Sequence, residues 1–275
     1  MGIKHMKQST FIILCVVAAA VAVTIVFLLL HFVAGIRYYK VAVSDADNPG
    51  ETKIYAKYFG SVDKTGNPLR GIIMYADGVR ANVDQKSDGI KYSNGDKYVG
   101  TIDRLMRTGQ GTLYFANGDV YVGNFEYDKM TGYGVYTYAN GDKYEGEFKD
   151  GVKDGSGTYT YANGDVYTGE LKNDKKNGAG QYEWKSGSQE GDVYSGEWLD
   201  DLKHGHGVYT YANGDKYDGD YEKDMRHGTG TFSWANGDKY TGDFKLGEIT
   251  GYGTLTWASG RTYTGYFSGG VIVRQ

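Results

Sequence analysis

The sequence predicts an all-β repeat fold: an elongated single-layer antiparallel β-meander of hairpins, preceded by one apolar N-terminal helix. Three observations predict it. The frame Tyr-x-Gly returns every 23 residues from Tyr98 through Tyr121, Tyr144 and Tyr167, then at Tyr194, Tyr217, Tyr240 and Tyr263, with one 27-residue step. A fixed period of this size marks a linear array whose units bury apolar surface only by stacking on their neighbours. Of 275 residues, 43 are Gly and 27 are Tyr, against 10 Phe and 4 Trp, which is the composition of strands and turns rather than of a helical core. The third observation is a long uncharged run near the N-terminus.

Residues 1–10 form a short tail carrying Lys4 and Lys7. From Phe11 to Val33 the chain runs 23 residues without a charge. A helix rising about 1.5 Å per residue would there cover roughly 34 Å, enough for a hydrocarbon core of ~30 Å. A cleaved signal peptide is the competing reading, but its apolar region is about 7–15 residues long and ends in a small-residue site. Here Ala18-Ala19-Ala20 is followed by apolar sequence through Val33. Residues 11–33 are therefore expected to anchor the chain as a single-pass transmembrane helix. Arg37 and Lys40 nearly balance Lys4 and Lys7, so charge decides orientation weakly. The short tail resembles that of an uncleaved signal anchor and puts the repeats on the extracytoplasmic side. Cys15 lies in the apolar run and has no second cysteine to pair with inside the chain.

Residues 34–57, with a turn around Asn48-Pro49-Gly50, read as a juxtamembrane linker and capping hairpin. The array itself spans 58–275, about nine hairpins. Its first copy is decayed: Tyr58-Phe-Gly60 leads to Tyr75-Ala-Asp-Gly78, but Ala81 stands where tyrosine is expected, and 17 residues separate it from Tyr98. The 27-residue step falls at 185–191, where Ser-Gly-Ser-Gln-Glu enlarges one turn.

Each unit contains two alternating runs. Tyr144, Gly146 and Phe148 share one strand face, with Glu145, Glu147 and Lys149 on the other; Gly155, Gly157, Tyr159 and Tyr161 oppose Ser156, Thr158 and Thr160. Parity then selects the turn. A two-residue Asn-Gly turn would put Tyr161 and Tyr167 on opposite faces, whereas a three-residue loop at 162–164, with Gly164 at φ > 0, pairs Tyr161 with Asp165 and Tyr159 with Tyr167. The other connection, 149–154, is expected to set Phe148 opposite Gly155, Gly146 opposite Gly157 and Tyr144 opposite Tyr159, with rings lying over glycines.

The stretch His204-Gly-His-Gly-Val-Tyr-Thr-Tyr211-Ala-Asn-Gly-Asp215-Lys-Tyr217-Asp-Gly219-Asp-Tyr221 resembles the MORN repeat consensus. The resemblance covers about 210 residues and implies an elongated single-layer sheet with roles in scaffolding, dimerisation and membrane or phospholipid contact. Several MORN proteins attach their repeats to a catalytic domain, and no such segment is visible in this sequence.

Function classes narrow accordingly. Beyond residue 36 there are 28 basic and 34 acidic residues, which argues against nucleic acid and against general attraction to anionic lipid. The Gly-x-Gly pairs have no following helix to cradle a phosphate. His204, His206 and His227 lack the accompanying Cys or carboxylate geometry of a zinc site, and the aspartates from Asp96 to Asp238 read as turn formers. No catalytic residue, cofactor or metal is expected. The aromatic face is expected to be uncovered, and exposed apolar surface tends to bind. Tyr144, Phe148, Tyr159, Tyr167, Trp198, Tyr217, Trp234 and Tyr240 are the candidate contacts for a protein partner or a homodimer, with loss of Trp198 and Trp234 expected to abolish association. Glycan or cell-envelope binding by the same rings, or lipid contact, are the alternatives.

Overall fold

The computed structural model describes residues 21–26, 28–31, 35–44, 52–86 and 89–273. Residues 21–26 and 28–31 are helical, and no helix among the described residues is long and apolar enough to cross a membrane. The 1–10 tail, the rest of the expected 11–33 span and the turn expected at Asn48-Pro49-Gly50 lie outside the described residues. Among the described residues all other regular structure is antiparallel strand apart from one short 3-10 turn, Gly187–Gln189, and every described pairing joins strands adjacent in sequence.

The chain divides into two compact units, 1–116 and 117–275. In the first, Ile36–Ser44 pairs with Thr52–Val62, which continues without a break through the expected 57/58 boundary and pairs on its other side with Pro68–Tyr75. One strand thus serves both the capping hairpin and the decayed copy. The 17-residue step is a shortened hairpin, Arg80–Asp84 against Gly89–Tyr92, in which the fully buried Ala81 and Ile90 occupy space filled elsewhere by tyrosine rings. Lys97–Asp103 and Met106–Tyr114 complete the unit.

The second unit repeats one hairpin with little change. Tyr159 pairs with Tyr167, the Tyr161 N–H donates to the Asp165 carbonyl (2.9 Å), and Gly164 has φ 94°, as parity requires. Tyr144 and Gly146 also meet Tyr159 and Gly157 as expected. Phe148 does not meet Gly155. It pairs with Lys153, and on the other side with Gly132. The cause is a tighter turn: Asp150 and Gly151 (φ 53° and 93°) close a two-residue loop between Lys149 and Val152. Turns with φ > 0 at both central residues match the right-handed twist of paired strands. The surplus residues of the second strand are absorbed in a bulge between Gly146 and Phe148. Equivalent turns stand at 104–105, 127–128, 173–174, 200–201, 223–224 and 246–247.

That bulge explains the Tyr-x-Gly frame. The Tyr144 ring lies over Gly146 and Gly157, so close that a Cβ on either glycine would collide with it. Its hydroxyl reaches past them and donates to the Glu147 carbonyl (3.1 Å), a group in the bulge. The same bond to the third residue onward is made by Tyr58, Tyr98, Tyr121, Tyr167, Tyr194, Tyr217 and Tyr240, at 2.6 to 3.2 Å. These eight tyrosines are fully buried. A single layer obtains its core by laying rings along the sheet over residues that have no side chain.

Candidate protein-binding face

On the aromatic face of the second unit the rings form two rows of different depth. The inner row combines the frame tyrosines with the residue four positions on. Tyr217 meets Tyr221 edge to face at 5.2 Å and Phe244 at 4.9 Å, and Tyr240 meets Phe244 and Phe267 at 5.4 and 5.0 Å. Edge-to-face pairs of this kind contribute roughly 0.5–1.5 kcal/mol each beyond their buried area.

The outer row runs beside the Asn-Gly-Asp turns. Ring follows ring from Tyr136 through Tyr138, Tyr159, Tyr161, Tyr182, Trp184, Tyr209, Tyr211 and Phe232 to Trp234, with centroids 4.4 to 5.9 Å apart. Tyr209 and Phe232 are buried, and the others are half-buried, each keeping part of its surface in solvent. At Trp234 the row borders an open recess of about 310 Å³ also lined by Arg226, Phe232 and Ile249.

The turn aspartates do more than shape their own loops. Asp142 accepts the Ala162 N–H of the next turn with one oxygen (2.7 Å) and the Tyr159 hydroxyl with the other (2.8 Å). Asp119, Asp165 and Asp192 bind the turn 20 residues onward and a tyrosine hydroxyl in the same way, and Asp96, Asp215 and Asp238 make the backbone bond. Each is a staple between consecutive units, which the reading as a simple turn former missed. The signal in the sequence is the last turn, Ser259-Gly260-Arg261, where the aspartate is replaced. Burial raises the carboxyl pKa of Asp119, Asp142 and Asp165, but the donated hydrogen bonds outweigh it and leave all three below the ordinary value. Their contribution is therefore complete above the unfolded carboxyl value, about 3.9, and fades as pH falls through the lower folded value.

A cation stands among the rings of four successive units. The Lys153 Nζ lies 5.2 Å from the Tyr159 centroid and donates to the Tyr138 hydroxyl (2.8 Å). Lys176 is 4.4 Å from Trp198 and 4.9 Å from Tyr182; Lys203 is 5.1 Å from Tyr209; Arg226 is 5.1 Å from Phe232 and donates to the Gly247 carbonyl (2.6 Å). Burial pulls the ammonium pKa of Lys176 and Lys203 down. This cationic row was not anticipated, because Met130 and Ile249 occupy the same slot in flanking units and break the pattern.

The eight candidate contacts divide between the rows. Tyr144, Phe148, Tyr167, Trp198, Tyr217 and Tyr240 are in the inner row, at most 5% exposed, and form core. The Trp198 indole even donates to the Gly180 carbonyl (3.2 Å). Tyr159 and Trp234 are in the half-buried outer row, beside Tyr138, Tyr161, Tyr182, Trp184 and Tyr211, which the candidate set omitted. Two of the histidines in the repeats pair with carboxylates: His206 sits 3.2 Å from Asp218 and His227 3.5 Å from Glu222. Among the described residues no three His, Cys, Asp or Glu side chains group as metal ligands.

A family model described as MORN repeat matches residues 106–120, 121–143, 144–166, 167–189, 194–216, 217–239 and 240–260, more than half of the chain. No curated protein matches the sequence. Solved structures with some likeness include the SAS-4 (dCPAP) TCP domain of Drosophila melanogaster in complex with a proline-rich motif of Ana2. It is 16% identical, with 62% of this chain and 88% of that chain covered and a TM-score of 0.38. The TCP10 domain of Danio rerio CPAP is 11% identical, with 82% and 93% covered and a TM-score of 0.36. Likeness at this level carries no inference about this chain.

Proposed function

The chain belongs to the MORN-repeat family, and on that premise we propose that it is a membrane-anchored, non-enzymatic scaffold that binds a protein partner, or a second copy of itself, through its aromatic face. The observation that carries the proposal is the outer row: a continuous line of rings in which Tyr136, Tyr138, Tyr159, Tyr161, Tyr182, Trp184, Tyr211 and Trp234 are left partly uncovered by the described residues. Partly exposed aromatic side chains beside a well-packed core are the type of residue that dominates binding energy at protein interfaces. The anchor rests on the uncharged stretch 11–33.

The test is light scattering on the full chain in detergent, with and without Trp184→Ala and Trp234→Ala. Both rings belong to the outer row, so these substitutions should leave the β-sheet circular dichroism intact. A dimer that dissociates in the variant would assign the face to self-association, and a monomer in both would leave it to a different protein. A dimer untouched by both substitutions would place association elsewhere and reject the assignment.

A further inference from the structure

The polar face of the second unit mixes acidic and basic side chains, as in the Lys143–Glu145 and Lys216–Asp218 pairs. Glu147, Glu170, Glu197, Asp220 and Asp243 alternate with the aromatic-face residues and stand over the positive-φ glycines of the bulges. The cations Lys153, Lys176, Lys203 and Arg226 stand among the rings. The aromatic face thus carries a row of cations alongside the staple carboxylates Asp142, Asp165 and Asp192.

The two central cations differ from the outer two. Lys153 has the Tyr138 hydroxyl and, at 3.7 Å, Asp174, and Arg226 has the Gly247 carbonyl. Among the described residues, no oxygen accepts from the Nζ of Lys176 or Lys203. Each ammonium is held over rings, Tyr167, Tyr182 and Trp198 for one, Trp184, Tyr194, Tyr209 and Tyr221 for the other. The nearby carboxylates accept other donors, Asp201 the Lys176 N–H (2.9 Å), Asp224 the Lys203 N–H (2.9 Å), and Asp192 the Ala212 N–H and the Tyr209 hydroxyl. Both half-buried ammoniums present hydrogen-bond donors among the rings that an oxygen-bearing ligand can accept.

Spacing restricts what that ligand can be. Lys176 and Lys203 occupy the same position in hairpins two strands apart, or roughly 9.4–9.8 Å at ordinary strand separation. A polyproline-II segment repeats side-chain direction every three residues, about 9.3 Å, so one laid across the strands stays in phase with the repeats. A β-strand, whose side chains alternate with period two, does not. Proline rings between the acidic positions would pack on the outer-row aromatics.

We propose that the aromatic face binds an acidic polyproline-II segment of a partner protein, with carboxylates at every third residue received by Lys176 and Lys203 and prolines stacked on Trp184 and its neighbours. This specifies the partner for the protein-binding role proposed above and rests on it. Binding should show as a change in tryptophan fluorescence when the full chain in detergent is titrated with (Glu-Pro-Pro)6. The peptides (Lys-Pro-Pro)6 and (Glu-Pro)9 carry the wrong charge and the wrong period and should bind at least tenfold more weakly. Lys176→Met with Lys203→Met keeps the apolar stems over the rings and should lose at least tenfold in affinity, while Lys176→Arg with Lys203→Arg should retain it. Thermal midpoints of both double variants separate lost binding from lost fold.

Equal affinity for all three peptides, or a Met variant that folds and binds like the parent, would overturn the proposal. So would binding of polygalacturonate without binding of (Glu-Pro-Pro)6, which would give the groove to acidic glycans. Failure here with association still dependent on Trp184 and Trp234 would remove the peptide assignment and leave the scaffold reading standing.

Discussion

Tyr144 differs from phenylalanine by one hydroxyl, and that hydroxyl satisfies the Glu147 carbonyl inside the bulge. A fully buried carbonyl without a donor costs about 1–3 kcal/mol and this part-buried one less, so the preference for tyrosine at the frame position follows from hydrogen bonding as well as from packing. Residue conformation also leaves stability unused. Leu246 is 64% exposed and sits at φ 51° in a two-residue turn before Gly247. A left-handed conformation costs a non-glycine residue roughly 1–2 kcal/mol, and asparagine less. Leu246→Asn creates the Asn-Gly pair that such turns favour. It should raise stability by about 0.5–1 kcal/mol, read as a higher urea midpoint with an unchanged slope. A lower midpoint would mean that Leu246 packs in a way its exposure does not reveal.

At the scale of the hairpin, two contacts hold the unit, one within it and one to the next. Within it, Gly146 and Gly157 bring the strands together under the Tyr144 ring. A methyl group at Gly146 would collide with the Tyr144 hydroxyl and lie 2.5 Å from the Gly157 Cα. Gly146→Ala should therefore cost about 1–3 kcal/mol or more, because backbone rather than a flexible side-chain end obstructs it. Hydrogen exchange should show the loss concentrated in Lys143–Lys149 and Val152–Thr160, whereas uniform loss would indicate one cooperative array. To the next unit, the Asp142 staple joins turns 20 residues apart, so the hairpins are coupled by directional bonds as well as by ring contact.

Across the whole molecule, the charge read from the sequence is unevenly divided. Residues 34–116 hold 12 basic and 9 acidic side chains, and residues 117–275 hold 16 and 25. The acidity belongs largely to the second unit. Phenol ionisation gives the array its alkaline limit. Burial pushes the Tyr121, Tyr144 and Tyr161 hydroxyls up to about 12, and those of Tyr159, Tyr182 and Tyr209 higher still. The unfolded value is about 10. Because the folded state holds the protonated form, this stabilisation is complete below the unfolded value and is lost as pH rises toward and through the folded one. The part of the phenolate absorbance that comes from these tyrosines should therefore appear together with loss of the β-sheet signal, above pH ~10. Titration of all the tyrosines near the unfolded value with the sheet intact would show that these hydroxyls are open to solvent.

Period and alternation in the chain carried a large part of the fold. The 23-residue frame located the units, parity chose the three-residue loop at 162–164, and the pairing of Tyr159 with Tyr167 followed. These are local consequences of strand geometry, legible along a single stretch. Depth was not legible. Alternation assigns Phe148, Tyr159, Trp198 and Trp234 to one face, but the rings contributed by neighbouring hairpins bury Phe148 and Trp198 and leave Tyr159 and Trp234 half-open. The bulge, the staples from Asp142 and its equivalents, and the ring contacts of the Lys176 and Lys203 ammoniums likewise depend on atoms one or two strands away. Side-chain period fixes direction within a strand; burial and hydrogen-bond satisfaction are properties of what the adjacent strands bring alongside.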